Sequence, residues 1–122
     1  MGKALDVVNK FYAVTDNKKG KGMRELLADG MSFTGPLMQA HSADEYVAMS
    51  EKFLQFHRST RMLKQFENGD HVCSIYEMTL STPAGGTLLV PIADWIRVSN
   101  GRIAEQTIYY DARDFAKALV CE

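Results

Sequence analysis

The chain has little cysteine, no excess of basic charge and no long apolar run, and each shortage removes a class of function. Only Cys73 and Cys121 occur in 122 residues. Two thiols make no disulfide framework, and no CxxC or Cys/His metal spacing is present. Neither a metal nor an organic cofactor is expected. Lys and Arg number 14 against 15 Asp and Glu, a net charge of -1. Nucleic-acid binders usually carry a basic excess, so nucleic acid is not an expected partner. No run approaches membrane-spanning length and no basic-then-apolar leader opens the chain. The expected setting is therefore cytoplasmic and reducing, away from any membrane. The opening "MGKALD" places Asp6 where a myristoylation signal needs Ser or Thr.

Apolar residues make up 46% of the chain, enough to build a core without staples. One domain over residues 1–122 is expected. The first half reads as helical. In "KALDVVNKFYAVTDN", Leu5, Val8, Phe11, Tyr12 and Thr15 share one face. "DNKKGKG" ends that helix, and "MRELLADG" predicts a second, short one capped by Gly30. Its lysines, with Arg24, read as a solvated turn. "MSFTGP" reads as a short strand. "SADE" sets Ser42 and Glu45 as a capping box for a third helix, which should end near His57. His57 would then face the helix C-terminus.

The second half changes period. "TRMLKQFEN", "HVCSIYEMTLS", "GTLLVPIADWIRVS" and "RIAEQTIYYD" are separated by "NGD", "TPAGG" and "SNG". Those are turn signals between antiparallel strands. "ARDFAKALV" closes the chain as a short helix or turn. Helices followed by a meander predict an α+β fold.

The second and third of these strands each carry an acid, Glu77 and Asp94. If Thr82 faces Thr87 across the turn, Glu77 faces Ile92 and Asp94 faces Ile75. One bulge later Glu77 faces Asp94 directly. Both registers put the two acids on one face, and a one-residue slip separates them. Asp94 is in phase with Leu88, Val90, Ile92, Ile96 and Val98, an apolar series. Two inward acids would share a proton, the basis for acid–base chemistry. Alternatively a strand acid pairs with a basic neighbour, for which Arg61, His57 and His71 are candidates. Trp95, out of phase with Asp94, should face outward and suits a dimer interface.

"NKFYAVTDNKKGKGMRELLADGMSFTGP" resembles the opening of the nuclear-transport-factor-2-like superfamily, and "ADWIRVSNGRIAEQTIYYDARDFAKAL" resembles its closing strands. The resemblance implies a cone-shaped, curved antiparallel sheet wrapped around three N-terminal helices and enclosing a pocket. It also implies a homodimer. Within the superfamily the chain is most similar to the SnoaL-like and ketosteroid-isomerase-like branch. Against the isomerases, Asp94 matches the proton-donating aspartate and Tyr12 lies within one residue of the helix-one tyrosine, while Gly35 stands where the general base belongs. Against the limonene-epoxide hydrolases, "YYDARDFAKAL" resembles the tail. Glu77 then matches one catalytic aspartate, and Ile75 and Ile108 replace the arginine and second aspartate.

The resulting expectation is a cofactor-free acid–base isomerase, cyclase or dehydratase acting on an apolar, oxygen-bearing small molecule. Asp94, Glu77 and Tyr12 would be catalytic. Phe33, Met38, Tyr46, Phe53, Ile75, Ile92 and Ile108 would line the pocket, with Leu37 and Met78 as further candidates. The alternative is a non-catalytic ligand-binding or dimeric assembly domain.

Overall fold

The first helical segment forms helix α1, Lys3–Asn17, and buries Ala4, Val8 and Phe11 along one stripe. The computed structural model of the chain describes residues 2–17 and 20–113. The predicted second helix is instead a single 3₁₀ turn, Met23–Leu26. Leu27 already has extended geometry, with φ -108° and ψ 137°. "LADG" opens strand β1 (Leu27–Thr34), so Gly30 lies inside a strand and caps nothing. The reason is burial. Leu27, Met31 and Phe33 all point into the core from β1, a pattern that a continued helix could not maintain. Among the described residues the fold therefore has two α-helices and one 3₁₀ turn, and the second of the three expected N-terminal helices is that turn.

A short strand β2 (Gln39–Ala40) returns along β1. Helix α2 (Ala43–Leu54) follows, and the Ser42 side chain accepts the Glu45 N–H at 3.1 Å. The Glu45 carboxylate in turn accepts the His41 N–H at 2.6 Å. The helix ends at Leu54, and His57 opens strand β3 (His57–Asn68). Strands β4 (His71–Ser81), β5 (Thr87–Ser99) and β6 (Arg102–Tyr109) complete the meander. The expected closing helix lies outside the described residues beyond Arg113.

The sheet order is β2-β1-β6-β5-β4-β3. Neighbours are antiparallel except β1 and β6, which run parallel. Register irregularities in β3, and between β5 and β6 at Arg97/Val98, bend the strands. The result is an open, curved α+β sheet with the helices on its concave side. Two buried apolar clusters sit there. One joins α1, α2 and β1 through Val8, Phe11, Leu27, Phe33 and Tyr46; the other lies on β4 and β5 through Tyr76, Met78, Leu80, Val90 and Ile92. Tyr12, Phe53 and Ile108 pack against both. Among the described residues no helix is long and apolar enough to cross a membrane.

Candidate active site

The register of the β4–β5 hairpin decides which acids can meet. Ser81, not Thr82, faces Thr87. Thr82 is used by the turn itself: its N–H donates to the Gly86 carbonyl at 2.9 Å, and its hydroxyl accepts the Gly86 N–H at 3.1 Å. Gly85 takes φ +93°, which glycine adopts without strain. Ending β4 one residue earlier slips the pairing by one. Asp94 therefore faces Ser74, and Glu77 faces Pro91. The two acids lie on opposite faces, which corrects the expected carboxylate pair. Glu77 points outward and meets the Arg61 guanidinium at 3.2 Å, one of the alternatives considered above. Ile75 shares that outer face and does not border the cavity.

Asp94 points inward and is fully buried. Three side chains donate to its carboxylate. Tyr12 Oη from α1 and Tyr76 Oη from β4 each lie 2.9 Å from Oδ2. Gln106 Nε2 from β6 lies 3.1 Å from Oδ1 and 3.0 Å from Oδ2. The tyrosine rings meet edge to face, with centroids 5.4 Å apart. Burial pushes the Asp94 pKa from 3.8 up to about 6, while the hydrogen bonds from Gln106, Tyr12 and Tyr76 hold it back from rising further. Burial, and then the Asp94 charge, hold both tyrosine hydroxyls well above their ordinary range. Near neutral pH both are therefore neutral donors.

A cavity of about 100 Å³ lies between the two apolar clusters. Tyr12, Tyr76 and Gln106 line its polar end and screen Asp94 from it. Of the expected lining residues, Phe33, Met38, Tyr46, Phe53, Ile92 and Ile108 border it, as does Met78. Leu37 is 47% exposed and does not. No charged side chain lines it among the described residues.

Tyr76 and Gln106 were missed by sequence reasoning. The signal for Tyr76 was available: Val72, Tyr76, Met78 and Leu80 make a stronger alternating apolar series than Cys73, Ile75 and Glu77. Gln106 carries no comparable mark, since it reaches Asp94 diagonally across the β5–β6 pair.

The histidines lie elsewhere. His57 is buried at the start of β3, with Nε2 2.8 Å from Thr60 Oγ1 and 3.2 Å from Asp16 Oδ1. It ties β3 to α1 instead of facing the end of α2. His71 Nδ1 accepts the Trp95 indole N–H at 2.9 Å on the outer sheet face, and His41 is exposed. Among the described residues no group of three or more His, Cys, Asp or Glu side chains is placed to hold a metal.

A family model described as a SnoaL-like domain matches residues 8–106. The chain belongs to the SnoaL-like family. Solved structures of the same fold include an NTF2-like protein of unknown function from Burkholderia pseudomallei, 16% identical, with a TM-score of 0.85 over 99% of this chain and 100% of that one. Another NTF2-like protein of unknown function, from Cytophaga hutchinsonii, is 23% identical, with a TM-score of 0.79 over 93% and 94%. A protein with a ketosteroid-isomerase-like fold from Catenulispora acidiphila, in complex with trimethylamine, is 15% identical, with a TM-score of 0.74 over 86% and 85%. At these identities the likeness concerns the fold. A search of curated protein sequences finds no match. In this SnoaL-like domain, function must therefore be argued from the site.

Proposed function

We propose that this chain, as one SnoaL-like domain over its whole length, is a small-molecule enzyme. It would isomerise, cyclise or dehydrate an apolar, oxygen-bearing ligand by acid–base chemistry. The observation that carries this reading is one buried carboxylate, with a pKa of about 6, held by two tyrosines that border an apolar cavity. A carboxyl poised near neutrality serves both as acceptor and as donor.

Asp94 does not border the cavity, so it acts through the tyrosines. A ligand O–H donates to Tyr12 or Tyr76 Oη. That tyrosine passes its own proton to Asp94 Oδ2, leaving the ligand as the oxyanion and Asp94 as the neutral acid. The reverse transfer returns the proton. Tyr12 and Tyr76 are then the groups that touch ligand, and Asp94 stores the proton. This assignment replaces the two-acid scheme, since Glu77 lies on the other face.

The Catenulispora acidiphila protein of ketosteroid-isomerase-like fold is in complex with trimethylamine, which supports a small ligand for this fold. Screened against hydroxy, keto and epoxide compounds, the protein should turn over at least one, with activity as a base rising through about pH 6. Tyr12→Phe with Tyr76→Phe should cost about 100-fold or more in kcat/KM, the usual weight of general acid–base catalysis. An unchanged rate in a folded double variant would defeat the relay.

A second reading, a dimeric ligand-binding domain without turnover, is favoured by the outer sheet face. Phe66, Leu89, Trp95 and Tyr109 stand there 48–56% exposed. Two of the bordering cations are already paired, Arg97 with Glu105 and Arg61 with Glu77, and Lys64 stands over the Phe66 ring, which limits like-charge repulsion against a second copy. Trp95→Lys should convert a sedimenting dimer to a monomer; a native monomer at high concentration removes this reading.

A further inference from the structure

Four of the seven methionines border the cavity: Met23, Met38, Met49 and Met78. They come from four separate places in the fold: the 3₁₀ turn, the loop between β1 and β2, helix α2 and strand β4. Met23 and Met78 are buried, and Met38 and Met49 are half-buried. A methionine side chain is unbranched and has three rotatable bonds. Its thioether can swing between staggered positions while the backbone stays in place. The rest of the wall is stiffer. Phe33, Tyr46, Phe11, Tyr12 and Tyr76 form one continuous run of ring contacts, with successive centroids 5.2, 6.2, 5.7 and 5.4 Å apart. Tyr12 and Tyr76 are fixed further by their bonds to Asp94. Val90 and the two isoleucines, Ile92 and Ile108, are branched at Cβ, which restricts χ1.

The cavity is also small. Its volume of about 100 Å³ is below the roughly 150 Å³ that accepts benzene. A stiff wall around so little space would admit only ligands of a few atoms, because overpacking a close-packed interior strains its side chains. A larger ligand has to displace wall atoms, and the four thioethers are the ones that move most readily. We propose that this is a broad-specificity site, whose volume is set by the rotamers of Met23, Met38, Met49 and Met78 and which admits neutral apolar ligands of more than one size. The proposal rests on reading the cavity as the ligand site, and it makes these four residues the determinants of which sizes fit. Neutrality follows from the lining, which holds no charged side chain among the described residues, so a charged ligand would be buried without a partner. A wall of this kind suits a group of related substrates rather than one, as methionine-rich surfaces that repack do elsewhere.

Xenon and indole are the probes. Xenon suits the cavity as it stands; indole, neutral and with two fused rings, requires it to widen. Binding is read by NMR from the methyl signals of Ile92 and Ile108, and the response of the wall from selectively labelled methionine methyl carbons. Both probes should bind the native chain. Indole, but not xenon, should move methyl carbons of the four bordering methionines to the shifts of a different rotamer. Met31, fully buried away from the cavity, should stay still. Met38→Leu combined with Met49→Leu nearly conserves volume and removes rotatable bonds. Its xenon affinity should stay within about threefold, while its indole affinity falls at least about tenfold, the weight of overpacking a stiff wall. If the double variant fails to fold, the methionine signals of the native chain decide alone. Xenon bound with indole excluded, indole bound with the four methionines unmoved, or undiminished indole binding in the folded double variant overturns the adjustable wall and leaves the cavity reading standing. No shift at Ile92 or Ile108 with either probe overturns both.

Discussion

Protein carrying Asp94→Asn should lose most of the pH dependence that this carboxyl gives to folding stability. The sign follows from the direction of the shift. In the folded chain Asp94 has a pKa of about 6, against 3.8 for an ordinary aspartate. Between those values the folded state keeps a proton that the unfolded state has released, so stability falls as pH rises through the window and is flat above it. About two units at roughly 1.4 kcal/mol each give about 3 kcal/mol. The group is fully buried, so solvent screening does not reduce that figure appreciably. Exposed carboxylates such as Asp29 and Asp111, held low by Arg24 and Arg113, act at lower pH and in the opposite direction. They are common to both proteins and cancel in the comparison. Urea unfolding at about pH 4 and about pH 7.5 should show the native chain losing about 2 kcal/mol more than the variant, since at pH 4 the unfolded carboxyl is already half ionised. In the variant, Gln106 can turn its unpartnered Oε1 toward the new amide. Parallel pH profiles for the two proteins would mean that Asp94 ionises as if in water.

The second large effect separates the two faces of the sheet. Ile96→Ala should cost about 3 kcal/mol, because Ile96 is fully buried at the centre of the inner face and the hole cannot easily collapse. Ile75→Ala should cost under about 1 kcal/mol, because Ile75 is only partly buried on the outer face. The pair tests the β4–β5 register directly. Were Thr82 to face Thr87, Ile75 and Glu77 would both point inward, and Ile75→Ala would be the costly change.

That register is where the sequence could be read only in part. The α+β order, the capping residue Ser42 and the strand bounds of β4 were legible, since each depends on local signals. Asp94 among Val90, Ile92 and Ile96 was legible as an inward acid, because alternation along one strand marks its face. How β4 sits against β5 was not, because the turn could begin at Ser81 or at Thr82. Only the Thr82–Gly86 hydrogen bonds decide it. The second helix failed for a different reason. "MRELLADG" has good helical propensity, but pairing β1 beside β6 buries Leu27, Met31 and Phe33, which outweighs it. Gln106 was hidden because its partner lies on another strand two positions away along the diagonal. The pocket-bordering aromatics were readable from composition and helical spacing, since Tyr46 and Phe53 repeat along one side of α2.

The central claim is that a single buried carboxyl, not a pair, holds the proton at this site. Carboxyl-carbon NMR across the acid range, with Asp94→Asn and Glu77→Gln used for assignment, measures it most directly. The account predicts a midpoint near 6 for Asp94 that does not move in Glu77→Gln. It also predicts a higher Asp94 midpoint in Tyr76→Phe, where one of the bonds holding the pKa down is gone. A midpoint near 3.8, or one that shifts when Glu77 is neutralised, would contradict it.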